Sequence, residues 1–237
     1  MWNDAVGLRD FYASPLGRVA KRMIGERIRA LWPDVRGLNV LGLGYATPFL
    51  GTFRAEAQRV VALMPAGQGG LNWPAEGGGL TALADETLLP FPDRFMDRIL
   101  LVHAVESADR VRPMMRELWR ILADGGRLLV VVSNRHGLWA RTERTPFGHG
   151  RPYTPAQLAG GLRESLFTPY QSSTALFVPP IRSRMLLSSA TAWENLGQRW
   201  FPTFAGVILF EATKQLYAGH AVFAEAKRER FAAVASR

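Results

Sequence analysis

Short apolar segments that alternate with helical or irregular segments are the feature that most limits how this chain can fold. Five of them read as strands, namely residues 38–43, 59–64, 80–84, 97–102 and 127–132. Their apolar residues are nearly continuous rather than alternating, which is typical of strands buried on both faces. We therefore predict an α/β fold with a mainly parallel sheet covered by helices on both faces.

The segment ahead of the first strand has the marks of a helix. Ser14 and Pro15 predict its start, because serine is favoured at the N-cap and proline at the first helical position. Apolar residues then recur at helical spacing up to Leu31, and basic residues fall on the other faces. An amphipathic N-terminal helix over residues 15–31 is predicted, packed against one flank of the sheet.

The rest of the chain extends the same domain. Two later segments, residues 173–178 and 205–211, bring the expected strands to seven. Neither a repeat nor a linker divides the sequence. We expect a single domain over residues 1–218, followed by a basic C-terminal tail over residues 219–237.

The composition argues against several classes of protein. The 237 residues include no cysteine, so disulfides and thiolate metal sites are excluded, and the four histidines lack metal-ligand spacing. No run of 18 apolar residues is present, so no membrane span is expected. The first residues show neither the basic start nor the apolar stretch of a signal peptide, and we expect a cytoplasmic protein.

The positive charge is concentrated in one part of the chain. The formal net charge is +9, and residues 127–163 hold six arginines against a single acid, Glu143. Part of this segment, residues 133–153, is expected to be a long loop, and such loops are more often functional than idle. A basic surface can bind nucleic acid, an acidic membrane surface or an anionic substrate, and the charge alone does not choose among them.

The first strand runs directly into a glycine turn. Gly42 and Gly44 lie at its end, ahead of a helix expected to begin at Thr47 or Pro48. Glycine lets the backbone approach a ligand closely, and a helix N-terminus offers unpaired N–H groups. Ligands of open α/β sheets bind at this end of the strands, so a small-molecule site is expected here. The spacing Gly-x-Gly-x-x-x-Pro, with no acid about 20 residues further on, argues against a dinucleotide.

Two segments carry a resemblance to a known family. Residues 88–106 read Leu-Leu-Pro-Phe-Pro-Asp-Arg-Phe-Met-Asp-Arg-Ile-Leu-Leu-Val-His-Ala-Val-Glu, and residues 116–128 read Arg-Glu-Leu-Trp-Arg-Ile-Leu-Ala-Asp-Gly-Gly-Arg-Leu. Together they resemble class I S-adenosylmethionine-dependent methyltransferases, in particular the type 11 group. The resemblance implies a Rossmann-like sheet in the order 3-2-1-4-5-7-6 with the last strand antiparallel, and S-adenosylmethionine as cofactor.

The resemblance also implies roles for residues at the strand ends. Gly44 matches the first glycine of the family's cofactor turn, with Tyr45 beside it. Asp85 matches the carboxylate that accepts a hydrogen bond from the adenine amino group, and Glu86 is adjacent. His103 lies where the family often places a residue near the methionine part of the cofactor.

Four positions depart from the family pattern. Gly42 replaces the acid ahead of the turn, and Ala46 and Pro48 replace its later glycines. Met64 replaces the acid that holds the ribose hydroxyls, although the nearby Gln68 is a candidate to reach them. Gly42 and Met64 stay in the predicted cofactor-binding set. Loss of a charge-assisted hydrogen bond costs about 1.5–3 kcal/mol, so the alternative is a non-catalytic binding or regulatory protein with a degenerate cofactor site.

Methyl transfer from a sulfonium requires an aligned nucleophile, and a general base where the acceptor must lose a proton. The candidate bases are His103, His136 and His149. Candidate residues for holding an anionic acceptor are three arginines of the long loop, Arg135, Arg141 and Arg151. Candidates for an apolar wall around it are Tyr12, Trp139 and Tyr153. We predict methyl transfer to a small, anionic or amphipathic acceptor.

RNA modification is a third hypothesis, suggested by the charge. The motif Asn-Pro-Pro-Tyr, which related enzymes use to flip a base amine, would follow the fourth strand. Residues 102–105 read Val-His-Ala-Val instead. This difference disfavours amine methylation on DNA or RNA.

Overall fold

The computed structural model describes residues 4–216, so the tail expected at 219–237 lies outside the described residues. The strands are β1 (Asn39–Gly44), β2 (Arg59–Pro65), β3 (Thr81–Ala84), β4 (Met96–Val102), β5 (Leu122–Ser133), β6 (Phe167–Ala175) and β7 (Val207–Lys214). The α-helices are α1 (Ala5–Ala13), α2 (Pro15–Leu31), α3 (Thr47–Leu50), α4 (Val111–Ile121), α5 (Pro155–Glu164), α6 (Arg184–Ser188) and α7 (Ala190–Trp200). Short 3-10 helices cover Gly51–Phe53, Ala66–Gln68, Trp139–Arg141, Pro146–Gly148 and Pro202–Phe204.

The seven strands form one sheet in the order β3-β2-β1-β4-β5-β7-β6. β1 pairs in parallel with β2 and β4, β2 with β3, and β4 with β5. β7 runs antiparallel to both β5 and β6. The predicted strand order and the antiparallel last strand are confirmed.

The sheet is covered on both faces, as predicted. Val40 and Leu41 are consecutive residues of β1, so their side chains point to opposite faces, and both are fully buried. Val40 belongs to the apolar cluster that α1 and α2 cover, and Leu41 to the cluster that α4 and α5 cover. The carboxyl ends of the parallel strands emerge between these two layers.

The helix α2 has the bounds that the sequence predicts. The Ser14 hydroxyl accepts a hydrogen bond from Gly17 N at 3.0 Å and caps the helix. The preceding helix α1 was not predicted. Gly17 allows the two helices to meet at a tight corner, because a Cβ at this position would collide with the carbonyl oxygen of Phe11.

Two strands differ most from the sequence prediction, and the others differ by up to three residues at an end. β5 begins at Leu122 rather than at residue 127, because Leu122 already pairs with Met96 across a register shift. β6 spans Phe167–Ala175 rather than residues 173–178. This strand lies at the edge of the sheet and leaves most of its side chains partly exposed, so a run of apolar residues does not mark it.

The described part of the chain contains neither a helix that could span a membrane nor a cluster of metal-binding side chains. Among residues 4–216, no helix has the length and apolar character needed to cross a bilayer. In the same range, histidine and carboxylate side chains form no group of three that could hold a metal ion.

Candidate functional site

The glycine turn after β1 depends on Gly44. This residue has φ +81, and a Cβ there would collide with the carbonyl oxygen of Val102. The next residue, Tyr45, donates its backbone N–H to the same oxygen at 2.8 Å. The turn therefore holds the end of β1 against the end of β4.

Gly42 is enclosed and has no room for a side chain. A Cβ on Gly42 would lie 2.6 Å from both the Ala46 Cβ and the Leu50 Cδ1. Ala46 and Leu50 are themselves almost completely buried. The carboxylate that the family places at position 42 is thus excluded by the residues that follow the turn.

An open cleft lies beside this turn, at the carboxyl ends of β2, β3 and β4. Its volume is about 460 Å³, and it is lined by residues 65–68, 85–86, 103–104, 107–110 and Met114. Small-molecule sites in proteins commonly have volumes of about 300–1,000 Å³. Sequence analysis placed Asp85, Glu86 and His103 at a ligand site, and the structure brings these three together here.

The end of β2 contributes Gln68 to the cleft. Its side chain is 8 % exposed, and its carboxamide oxygen has no hydrogen-bond partner among residues 4–216. A buried polar atom of this kind costs free energy unless a ligand or water satisfies it. Met64, predicted to contact the cofactor, is instead fully buried in the apolar cluster under α2. Its thioether therefore packs in the core.

Asp85 is held in a defined orientation after β3. Its Oδ1 accepts hydrogen bonds from the Thr87 backbone N–H at 2.7 Å and from the Thr87 hydroxyl at 2.6 Å. These hydrogen bonds lower the pKa of Asp85, and the positive charge of Arg110, 3.8 Å from Oδ2, lowers it further. The carboxylate is thus kept ionised at the edge of the cleft, ready to accept a hydrogen bond.

His103 lies directly after β4 in a left-handed conformation, with φ +51. Such a conformation is uncommon for residues other than glycine, and it occurs often at functional sites. The ring is 4 % exposed, with Nε2 2.8 Å from the Tyr12 hydroxyl and Nδ1 3.5 Å from Glu106 Oε1. Burial raises the pKa of Tyr12 well above its usual value, and the negative charge of Glu106 adds to this effect.

Sequence analysis did not assign a role to Glu106. The residue is 4 % exposed, and its Oε2 has no hydrogen-bond partner among residues 4–216. The only available signal was its position three residues after His103, where a short turn brings the two side chains together. Tyr12 was named as a candidate for holding the acceptor, but its contact with His103 was not predicted. No sequence pattern indicates which residue of an N-terminal helix reaches the end of a distant strand.

Aromatic side chains enclose the buried side of His103. The Tyr12 and Tyr45 rings stack at a centroid distance of 5.8 Å with an interplanar angle of 15°. The Phe147 ring lies 4.9 Å from the His103 ring and 5.4 Å from that of Trp139. Trp139, predicted as an acceptor wall, is 1 % exposed and donates its indole N–H to Val178 O, so it is a packing residue of the core.

The residues that were predicted for the site from the loop after β5 lie outside the cleft. His136 is exposed, and His149 contacts the Glu143 carbonyl oxygen through its Nε2 at 2.7 Å. The exposed guanidinium of Arg135 donates to the Pro152 carbonyl oxygen. Of the three candidate histidines, the structure therefore brings only His103 to the cleft.

Arg151 and Tyr153 lie close to Glu106. The backbone N–H of Arg151 donates to the Glu106 carbonyl oxygen at 2.9 Å. Burial raises the pKa of Tyr153, and the charge of Glu106 raises it further while Arg151 opposes the change. The loop is thereby fastened to the turn that carries His103.

A second cleft, of about 1210 Å³, opens on the outer side of the same loop. Arg141, Arg144 and Arg182 line it, together with Glu143 as the one acid among its lining residues. Leu16 and Thr145 also line it. Leu16 lies a few residues after Tyr12, and Thr145 lies a few residues before Phe147. The basic segment seen in the sequence thus forms one wall of a concave surface.

Residues 30–130 match the family model for the type 11 methyltransferase domain. This part of the chain is similar to the type 11 group of class I S-adenosylmethionine-dependent methyltransferases. The predicted resemblance is confirmed for these residues. No curated protein matches the chain in sequence.

Solved structures with the same fold cover nearly the whole chain. A Thermotoga maritima methyltransferase, described as a possible histamine N-methyltransferase, has a TM-score of 0.61 at 15 % identity, covering 88 % of this chain and 94 % of its own. The complex of the Haloferax volcanii Trm112 methyltransferase activator with a putative methyltransferase gives 0.61 at 17 %, covering 90 % and 99 %. Burkholderia thailandensis 1,6-didemethyltoxoflavin-N1-methyltransferase, with bound 1,6-didemethyltoxoflavin and S-adenosylhomocysteine, gives 0.54 at 16 %, covering 88 % and 82 %. The TM-scores establish a shared fold, and at identities this low they establish nothing about substrate or partner.

The residues of the cleft suit one half of S-adenosylmethionine, the cofactor of the similar family. Gln68, whose side-chain oxygen is buried and unpartnered among residues 4–216, and Asp85, whose carboxylate is ionised, are both acceptors, as the hydroxyl and amino donors of an adenosine require. The side beyond His103 is occupied by Tyr12 and the aromatic cluster. The adenosine half of the site is therefore open, and the far side is filled by the chain itself.

The Gln68 side chain gives a direct test of this assignment. We expect Gln68→Ala to weaken S-adenosylhomocysteine binding about two- to tenfold, since one neutral hydrogen bond contributes about 0.5–1.5 kcal/mol. Isothermal titration calorimetry measures the change. Gln58→Ala, at an exposed glutamine ahead of the opposite end of β2, is the matched control. Equal affinities for the two variants would show that Gln68 does not contact the ligand.

Proposed function

We propose that the chain transfers the methyl group of S-adenosylmethionine to a small, anionic or amphipathic acceptor. The observation that carries the proposal is the cleft at the ends of β2, β3 and β4, which is lined by Gln68, a residue whose buried side-chain oxygen has no partner among residues 4–216. A second polar group, the carboxylate of Asp85, borders the same cleft. The match of residues 30–130 to the methyltransferase-domain model supports the reaction class.

The chain's own residues divide the work of binding and proton transfer. Gln68 and Asp85 accept hydrogen bonds from the adenosine part of the cofactor. When bound, S-adenosylmethionine supplies an electrophilic methyl group on a sulfonium. His103 borders both the cleft and the aromatic side chains around Tyr12, so its Nε2 can take a proton released by an acceptor beside the cofactor once the Tyr12 hydroxyl, now 2.8 Å away, gives up that position. The carboxylate of Glu106 then lies close enough to stabilise the charged ring.

The character of the acceptor is inferred from the second cleft. Arg141, Arg144 and Arg182 offer guanidinium groups suited to a carboxylate or phosphate, and Ile181 and Leu138 add apolar surface beside them. An acceptor with an anionic group and an apolar body matches this lining. The loop residues Arg135, Arg151 and Tyr153 lie nearby in sequence but are fastened by contacts within the loop or to Glu106.

A second candidate function, a non-catalytic binding protein, is favoured by a different observation. Ala46 and Leu50 occupy the space of the missing acid at Gly42, and Tyr12 covers His103. Calorimetry with S-adenosylmethionine and S-adenosylhomocysteine at millimolar concentration separates the two candidates. Absence of heat with both compounds would reject methyl transfer and favour the binding protein.

Asp85 provides the corresponding residue-level prediction. Asp85→Ala is expected to weaken the binding of S-adenosylhomocysteine about tenfold or more, because a charge-assisted hydrogen bond to the adenine amino group would be lost. Asp34→Ala is the matched control. Asp34 is also an exposed aspartate that accepts from the backbone N–H two residues later and pairs with an arginine, but it precedes β1. An unchanged affinity for Asp85→Ala would place the adenine elsewhere.

A further inference from the structure

A phenol already occupies the buried side of His103, and it belongs to the chain itself. The Tyr12 side chain is 6 % exposed, and its hydroxyl lies 2.8 Å from His103 Nε2. Its ring stacks on that of Tyr45 at 5.8 Å, and the edges of Phe11 and Phe49 close the remaining sides at centroid distances of 5.1 and 5.8 Å. The pocket around this ring is thus shaped for a flat aromatic group whose hydroxyl points at the imidazole.

The imidazole has the partners of a proton acceptor. Glu106 Oε1 lies 3.5 Å from Nδ1, and with the Nδ1 proton facing that carboxylate, Nε2 is free to accept from the Tyr12 hydroxyl. A buried carboxylate behind an imidazole stabilises the imidazolium that forms when a hydroxyl proton is transferred. The otherwise unpartnered Glu106 Oε2 is consistent with a carboxylate held for charge stabilisation.

We propose that the acceptor is a phenol, which binds in the place of the Tyr12 ring when α1 moves aside. This inference rests on the proposed function and names its substrate class. His103 lines the cofactor cleft and also contacts the Tyr12 hydroxyl, so a hydroxyl in the place of the Tyr12 hydroxyl would meet a residue of that cleft. Tyr12 then acts as a plug that the acceptor displaces.

The reaction balances with groups already named. The phenol oxygen forms a bond to the methyl carbon while the methyl–sulfur bond breaks, and the electron pair of that bond stays on sulfur. The hydroxyl proton passes to His103 Nε2 and is later released to water. A phenol, with a pKa of about 10, gives up this proton far more readily than an aliphatic alcohol does. No other reactant is needed.

The displacement requires only one helix to move. Of the groups around the Tyr12 ring, Tyr45 and Phe49 belong to the cofactor turn and the helix after it, whereas Phe11 and Tyr12 belong to α1. α1 joins α2 at Ser14, and no strand of the sheet belongs to α1, so its withdrawal changes the backbone at this junction and uncovers Leu8 and Phe11. Withdrawal of α1 would leave the Tyr45 face and His103 Nε2 open to the acceptor.

The test removes the plug and offers its side chain as a free molecule. p-Cresol is the tyrosine side chain with hydrogen in place of Cα. For Tyr12→Ala, we expect p-cresol to bind at least about tenfold more tightly than to the unchanged protein. We also expect it to bind at least about fivefold more tightly than toluene, which lacks the hydroxyl. Nitrogen-15 NMR of the His103 ring should report the new hydrogen bond when p-cresol binds, but not when toluene does.

A matched control separates a phenol site from a mere cavity. Phe11→Ala also empties aromatic volume next to Tyr12, but it leaves the Tyr12 hydroxyl on His103. p-Cresol should therefore bind to it no more tightly than toluene does, since its buried hydroxyl finds no partner there, and neither compound should alter the His103 signals. Equal binding of the two compounds to Tyr12→Ala, or p-cresol binding without a change at His103, would overturn the inference.

Two further measurements keep the test decisive. With S-adenosylmethionine present, Tyr12→Ala should convert p-cresol to 4-methylanisole, and the additional change His103→Gln should lower this rate at least about a hundredfold. If Tyr12→Ala does not fold, p-cresol added to the unchanged protein should instead speed amide hydrogen exchange in α1, and an unaltered exchange rate would count against displacement. S-adenosylhomocysteine binding is measured for the same proteins. If the unchanged protein does not bind S-adenosylhomocysteine, the proposed function is rejected. If it binds S-adenosylhomocysteine but no phenol site is found, only this inference is rejected.

Discussion

Gly42→Asp is expected to lower the free energy of unfolding by about 2–6 kcal/mol, although it restores the residue type that the family has at this position. The new Cβ would lie 2.6 Å from the Ala46 Cβ and from the Leu50 Cδ1, and both neighbours are buried. Overpacking of this kind costs about 1–3 kcal/mol. A carboxylate without a partner in this enclosed position adds about 1–3 kcal/mol more.

Denaturant unfolding followed by circular dichroism measures this loss. Gly51→Asp is the control, because Gly51 is exposed and a Cβ there meets nothing within 4 Å, so its effect should stay within about 0.5 kcal/mol. Combining Gly42→Asp with Ala46→Gly and Leu50→Ala should recover part of the stability that overpacking removes, relative to the sum of the separate effects. A Gly42→Asp protein as stable as the unchanged one would show that the turn rearranges freely.

Glu211→Ala is expected to destabilise the protein by about 3–5 kcal/mol, because it removes the carboxylate from a buried group of donors. Glu211 is 3 % exposed and accepts from Trp32 Nε1 at 2.9 Å and from Gln171 Nε2 at 2.6 Å. Arg127 Nη1 lies 3.9 Å from the same carboxylate. Burial lowers the pKa of Arg98, and the charge of Glu211 opposes that change, so Arg98 also loses compensation.

Thermal and denaturant unfolding measure the loss at Glu211. Glu164→Ala is the matched control, because the Glu164 carboxylate is 69 % exposed and pairs with Arg112 at 3.5 Å on the surface. Its effect should stay within about 0.5 kcal/mol. Glu211→Gln, which keeps an acceptor but not the charge, should fall between the two. A neutral effect of Glu211→Ala would mean that water replaces the carboxylate around these donors.

The sequence predicts the fold well where local patterns and core packing coincide. The buried strands β1, β2 and β4 show as apolar runs because both of their faces are covered, and α2 shows through its cap and spacing. β6 does not show, because an edge strand with exposed side chains needs no apolar run. α1 was missed because it is short and lies ahead of the patterned part of the chain.

The candidate site was predictable only where it follows strand ends. Asp85, Glu86 and His103 are found at the cleft because the carboxyl ends of parallel strands converge in this topology. The contacts of Tyr12 with His103, and the burial of Met64 and Trp139, depend on how distant segments pack. No local spacing encodes those contacts, and whether the predicted residues act in catalysis stays a prediction.

The position of α1 has a consequence for the order in which the protein is made. Tyr12 leaves the ribosome well before its neighbour His103 and the Phe147 ring behind that histidine. At about 5–20 residues per second, Phe147 follows Tyr12 by roughly 7–30 s. During that interval the apolar face of α1, with Leu8 and Phe11, has no finished surface to pack against. α1 is therefore synthesised before the surface that it covers is complete, and it can dock fully only after Phe147 has been added.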